Sequence, residues 1–171
     1  MPRYVAFLRG VMPTNCRMPE LKQCFEGAGF TDVRTLLSSG NVAFNARSAS
    51  GPTLERKAER AMLASMGRSF ATMVRPAGYL QALVASDPFG EFALPATAKC
   101  VITFLQHSSA RTVTLPIERD GTRILKLAGS EVFSAYAPTP KGPVFMTLLE
   151  RTFGKDITTR TLATVEKCAV A

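Results

Sequence analysis

The sequence predicts an α+β protein built from two βαββαβ-type halves with antiparallel sheets, and three observations carry that expectation. Tyr4-Val5-Ala6-Phe7-Leu8 is an unbroken apolar run that stops at Arg9-Gly10, the signature of a strand covered on both faces and ended by a charged loop. From there to Arg75 strand-like and helix-like patterns follow one another in the order βαββαβ, the ferredoxin-like unit. Finally, Val101-Ile102-Thr103-Phe104-Leu105 echoes the opening strand and suggests a second, related half. The expected division is a first half over 1–76, a helix and linker over 77–98, and a second half over 99–171.

Each element has a local reason. After the first strand, Met18-Pro19-Glu20 opens a helix: Pro19 suits the first turn, Glu20 complements the dipole, and Leu21, Cys24, Phe25 and Ala28 share one face. Gly27 and Gly29 supply its exit. Thr31 to Leu37 and Val42 to Asn45 read as two strands joined through Ser38-Ser39-Gly40-Asn41, a hairpin whose Gly and Asn tolerate positive φ. An exposed Ser/Gly/Pro loop over 47–53 precedes a helix from about Thr53 to Met66, with Leu54, Ala58, Ala61 and Met62 inward. Ser69 to Arg75 alternates as a half-buried strand. A short helix over Tyr79 to Ser86 ends at Asp87-Pro88. Past Lys99 to Gln106, Arg111 to Tyr136 reads as a short meander with turns at Asp120-Gly121 and Ala128-Gly129-Ser130. Gly142-Pro143 starts a helix with Phe145, Leu148 and Leu149 inward, closed by Gly154, and Thr161 caps a last helix.

With 171 residues, 46% of them hydrophobic, the chain can bury a sizeable core. Its formal charge of +8 is uneven, with 11 Lys and Arg against 5 Asp and Glu through Pro76, and 10 against 8 beyond it. A basic first half permits attraction to nucleic acid or another polyanion, and is equally a solvated, soluble surface. No run is apolar enough for a signal peptide or a bilayer span, so the expected location is the cytoplasm, with no membrane partner. The four cysteines form no CxxC pair and His107 is the single histidine, which leaves metal and redox-dithiol chemistry without local support. No P-loop, GxGxxG or RNP pattern is present, and no cofactor is expected.

Several stretches carry a wider resemblance. Tyr-Val-Ala-Phe-Leu-Arg-Gly (4–10), Met18-Pro19-Glu20-Leu21, Ala28-Gly29-Phe30-Thr31-Asp32-Val33, Ser39-Gly40-Asn41-Val42 and Thr158-Thr159-Arg160-Thr161 resemble, in order along the chain, the bacterial family called "domain of unknown function 1697". The resemblance implies a fold of two ferredoxin-like halves and brings no established activity. The chain departs from the family pattern where Val11-Met12-Pro13-Thr14-Asn15 replaces an Asn and paired glycines, and where Leu162 replaces a Trp.

Candidate ligand-binding residues lie where polar groups meet element ends: Arg9 and Gly10; Ser39, Gly40 and Asn41; Lys141 and Gly142 at a helix start; and Arg160. A lysine beside free helix amides favours a phosphate or carboxylate, and a charge ending a buried strand must be paired or reach a cleft. Gly-Pro opening a helix and Ser-Gly-Asn in a turn are equally ordinary punctuation. Cys16 lies between Arg9 and Arg17, but no histidine is near it in sequence, and the carboxylates form no acid/base pair. The expectation is therefore a binding module for an anionic ligand or nucleic acid. The alternative is a small enzyme acting on a phosphorylated substrate between the halves, with Arg9, Lys141 and Arg160 holding the phosphate.

Overall fold

The computed structural model describes residues 1–107, 113–137 and 144–171. It is an α+β fold with two antiparallel sheets. Strand β1 (Arg3–Leu8), helix α1 (Met18–Gly27), β2 (Thr31–Leu36), β3 (Asn41–Asn45), α2 (Gly51–Met66) and β4 (Thr72–Pro76) form the first layer, with strand order β2-β3-β1-β4. Helix α3 (Ala77–Ala85) follows β4 directly. The second sheet holds β5 (Lys99–Leu105), β6 (Ile117–Arg119), β7 (Thr122–Ala128), β8 (Glu131–Tyr136) and β9 (Ile157–Thr161) in the order β6-β7-β8-β5-β9. Helix α4 (Val144–Phe153) precedes β9 and α5 (Leu162–Ala169) follows it.

The central position of β1 explains its unbroken apolar run. Tyr4, Ala6 and Leu8 face α1 and α2, packing with Leu21, Phe25, Leu54 and Met62. Val5 and Phe7 face the second sheet and meet Ile102, Phe104 and Phe133, with Leu80 of α3 and Val165 of α5 closing the sides. At the centre Phe7 stacks on Phe104, ring centroids 4.2 Å apart and planes 7° from parallel. Leu148 and Leu149 of α4 cover the outer face of the second sheet at Leu105, Ile124, Val132 and Ile157. Burying one such side chain contributes about 1.5–3 kcal/mol, so the inter-sheet layer is a principal source of stability.

Element ends moved where local bonds outweighed pattern. Helix α2 begins at Gly51 because the Ser50 hydroxyl accepts from the Thr53 amide, taking into the helix residues expected in the loop. Leu37, expected as strand, instead starts the hairpin turn with φ 58°, and Gly40 ends it at φ 82°. Thr161 caps α5 as its sequence suggests, accepting from the Thr164 amide.

Two sheet edges are closed by side chains. The outward amides of Thr72 and Val74 on β4 donate to Glu59 Oε2 (2.8 Å) and Glu55 Oε2 (2.9 Å) of α2. On β9 the outward carbonyls of Ile157 and Thr159 accept from Arg9 Nη1 (2.8 Å) and Arg160 Nη1 (2.9 Å). Acidic groups thus cover donors on one edge, and basic groups cover acceptors on the other.

Candidate functional site

A groove of about 470 Å³ lies along β9 and reaches across the second sheet to Val101 of β5 and Tyr136 of β8. One wall is the end of β1 with its loop, Leu8 to Val11, and Ser39 from the hairpin turn; the other is Tyr136 with Phe145 and Met146 from the first turn of α4. Four of the residues singled out from sequence, Arg9, Gly10, Ser39 and Arg160, line it together. Gly40 and Asn41 lie behind them. Lys141 and Gly142 fall outside the described residues.

Arg160 is the centre of this arrangement. Its guanidinium donates to Asn41 Oδ1 (2.6 Å), Thr158 Oγ1 (2.7 Å), Thr159 O (2.9 Å), Leu8 O (2.7 Å), Ser39 O (2.9 Å) and Gly40 O (3.2 Å). All five N–H groups of the fork are therefore directed at neutral oxygens. Burial lowers its pKa to about 10, which leaves it charged at neutral pH. Among the described residues no carboxylate comes within ion-pair distance of it. Its charge is solvated by carbonyl dipoles but not neutralised, and it faces the Phe7 ring at 5.7 Å.

Arg9 differs. It is paired with Glu150 of α4 at 2.5 Å, both side chains about 30% exposed, while it also holds the Ile157 carbonyl. Gly40 is fixed by space as well as by φ: a Cβ there would sit 2.9 Å from Val11 Cβ and 3.1 Å from Leu8 Cβ. The tight approach presses the turn onto the β1 loop and shapes that lip of the groove. Tyr136 and Phe145 stack at 4.2 Å, 4° from parallel, on the opposite side.

Sequence reasoning missed Thr158, Thr159, Tyr136 and Met146 as groove residues, and Glu150 as the partner of Arg9. The Thr158-Thr159-Arg160-Thr161 run was itself a signal, since hydroxyls flanking a charge on a strand mark a polar edge. Glu150 gave none: its partner is 141 residues away in the chain. Cys16, beside arginines in sequence, is buried with its thiol pKa raised, chiefly by burial, which removes the activation its neighbours suggested. A larger hollow of about 580 Å³ between α1 and α2 holds Glu20 and Arg68 with Ser65 and small side chains. Its opposite charges offset one another and it lies within the first layer alone. Among the described residues no three His, Cys, Asp or Glu side chains could share a metal ion.

The model of the family described as "Protein of unknown function (DUF1697)" matches residues 1–133. The chain belongs to the DUF1697 family. The solved structure of the conserved bacterial protein SP0830 from Streptococcus pneumoniae is similar over 99% of this chain and 97% of its own, with a TM-score of 0.67 and 19% identity. At that identity the likeness speaks for the fold. No curated protein matches. No helix among the described residues is long and apolar enough to cross a membrane.

Proposed function

We propose that this DUF1697 chain is a cytoplasmic binding module that takes a small anionic ligand in the groove along β9, between two ferredoxin-like halves. The observation that carries the reading is the buried, unneutralised charge of Arg160 beside a groove of ligand size. A fixed positive charge in a partly desolvated wall attracts an anion more strongly than the same charge on an open surface.

The two-halves reading draws on topology. Strands β7-β8-β5-β9 are arranged like β2-β3-β1-β4, with β6 added at the edge, and α5 follows β9 as α3 follows β4. On this reading α3 goes with the first half rather than with a linker. The two halves differ in the crossover after β5, where the described residues hold β6 and no helix.

Small ligand is favoured over nucleic acid because the predicted cations that can be located converge on one groove rather than spread over a face. Binding is favoured over catalysis because the groove holds no histidine and its nearby carboxylate, Glu150, is tied to Arg9. Calorimetric titration with small carboxylates and phosphates, beside single- and double-stranded oligonucleotides, tests this at two salt concentrations. The expected result is saturable binding of a small anion with weak salt dependence, untouched by replacing Arg56 and Arg60 on the exposed face of α2. Binding of oligonucleotides alone, with a log–log salt slope of roughly −0.7 to −0.9 per phosphate and loss on that replacement, would overturn it.

A further inference from the structure

Resting on the reading that the groove takes a small anion, we propose that Asn41 is the residue that keeps the charge of Arg160 free and that the ligand is a monocarboxylate with an apolar body. The two ends of the inter-sheet layer carry the same set of bonds. At one end Arg75, last but one in β4, donates to Val74 O (3.0 Å), Leu105 O (2.9 Å) and Ser130 O (3.3 Å) and lies 5.6 Å from the Phe104 ring. At the other Arg160, last but one in β9, donates to Thr159 O (2.9 Å), Leu8 O (2.7 Å) and Gly40 O (3.2 Å) and lies 5.7 Å from the Phe7 ring. The turns they enter match as well, since the Leu105 amide donates to Ser130 O and the Leu8 amide to Gly40 O, both at 2.9 Å. Gln106 after β5 holds Thr72 O and Glu59 of α2, as Arg9 after β1 holds Ile157 O and Glu150 of α4.

One difference sets the charge. Nε of Arg75 donates to Glu131 Oε2 at 2.8 Å, whereas Nε of Arg160 donates to Asn41 Oδ1 at 2.6 Å. A carboxylate thus neutralises the first guanidinium, and a neutral amide oxygen holds the second without neutralising it. A further carboxylate is missing too. Glu55, 3.8 Å from Arg75, stands four residues before Glu59 on α2; four residues before Glu150 on α4 stands Met146, which lines the groove. Among the described residues lining the groove the charged ones are Arg9 and Arg160, and Arg9 is paired with Glu150. The site is therefore short of one negative charge. A monoanion supplies it, while a short dianion would leave its second charge without a partner in a partly desolvated groove. Val11, Tyr136, Phe145 and Met146 form walls that suit an apolar body beside the carboxylate. Asn41 is fully buried, so it acts through Arg160 as a positioning residue and does not touch the ligand.

Arginine Nε–H and backbone amide NMR signals of the full ¹⁵N-labelled chain, followed during titration with phenylacetate, acetate, succinate and inorganic phosphate, test this. The expected result is saturable movement of the Arg160 Nε–H signal together with the Gly10, Ser39 and Met146 amides, while that of Arg75, already paired, stays still. Phenylacetate should half-saturate at a concentration at least tenfold below the other three. Asn41→Asp keeps an acceptor on Arg160 Nε, gives up the bonds from the Asn41 amide to Leu36 O and Ser39 Oγ, and should weaken phenylacetate at least tenfold at neutral pH. Met146→Glu brings a carboxylate from within and should bind at least tenfold more weakly than Met146→Gln, which has the same shape without the charge. If Asn41→Asp does not fold, the wild-type signals and the Met146 pair decide. Unchanged affinity in Asn41→Asp, a still Arg160 signal while the groove amides move, equal affinity in the two Met146 variants, or tighter binding of succinate than of phenylacetate would overturn this inference and leave the groove reading standing. If no groove signal moves with any of these anions, both fail.

Discussion

At the scale of single residues, Arg160 and Gly40 are positions where one side chain decides several bonds. Replacing Arg160 by Met leaves Asn41 Oδ1 buried without its donor, and takes one bond each from the Ser39, Leu8 and Gly40 carbonyls, of which Leu8 keeps the Thr158 hydroxyl and Gly40 the Leu8 amide. Each such loss costs about 1–3 kcal/mol, so a total near 3 kcal/mol or more is expected in urea unfolding. Arg160→Lys should recover little, because an ammonium brings three N–H groups to a site built for a planar fork of five. Gly40→Ala combines positive φ with a 2.9 Å contact to Val11 and should cost about 1–3 kcal/mol. Val11→Ala should restore part of that, since it clears the contact and leaves φ strained. The thiols make a separate test. All four are free, and burial raises each pKa, that of Cys168 to about 11. At pH 8 a thiol reagent should label the native protein slowly and count four groups after denaturation; a count of two would reveal a bridge.

At the scale of elements, the edge of β4 is held by α2 through Glu55 and Glu59, and Glu55 makes this pH-sensitive. Burial raises its pKa above the ordinary 4.5, with the Val74 amide and Arg75 pulling the other way. Because the folded pKa exceeds the unfolded one, Glu55 contributes stability that is complete below about pH 4.5 and is lost as pH rises through its folded value. Glu55→Gln keeps an acceptor for Val74 and removes the titration. Urea unfolding across pH 4.5–7.5 should therefore show the stability of wild type relative to this variant greatest at the acid end and falling with pH. A difference that rises with pH would mean that the pair with Arg75, 3.8 Å away, outweighs desolvation.

At the scale of the whole molecule, the two sheets are joined by one apolar layer and by arginines crossing it. Arg75 of β4 reaches Glu131 at 2.8 Å and Leu105 O at 2.9 Å, and Tyr79 donates to the other Glu131 oxygen. Arg9 and Arg160 add further links, to Ile157 O from the first sheet and to Leu8 O from the second. Unfolding should be a single cooperative event. Phe7→Ala, which empties the stack on Phe104, should cost about 3–5 kcal/mol without changing the slope against urea. A fragment ending at residue 98 exposes Val5, Phe7, Met73 and Leu80. It should bind a hydrophobic dye and lose the cooperative transition; a fragment melting as sharply as the full chain would show that the first half needs no partner layer.

What the sequence determined by itself is what short-range physics controls. The apolar run from Tyr4 to Leu8 demanded cover on both faces, Pro19 and Thr161 placed helix starts, and Gly40 marked a positive φ, because each rests on a few neighbouring residues. Arg9 and Arg160 were legible as charges at element ends that needed an explanation. What they do there was decided by tertiary structure: their partners are Ile157, Glu150, Leu8 and Asn41, more than 100 residues away along the chain. The same holds for the groove. Its shape depends on Val11 meeting Gly40, and its charge on Arg160 reaching Leu8 and Asn41, and the pattern of a single strand shows neither.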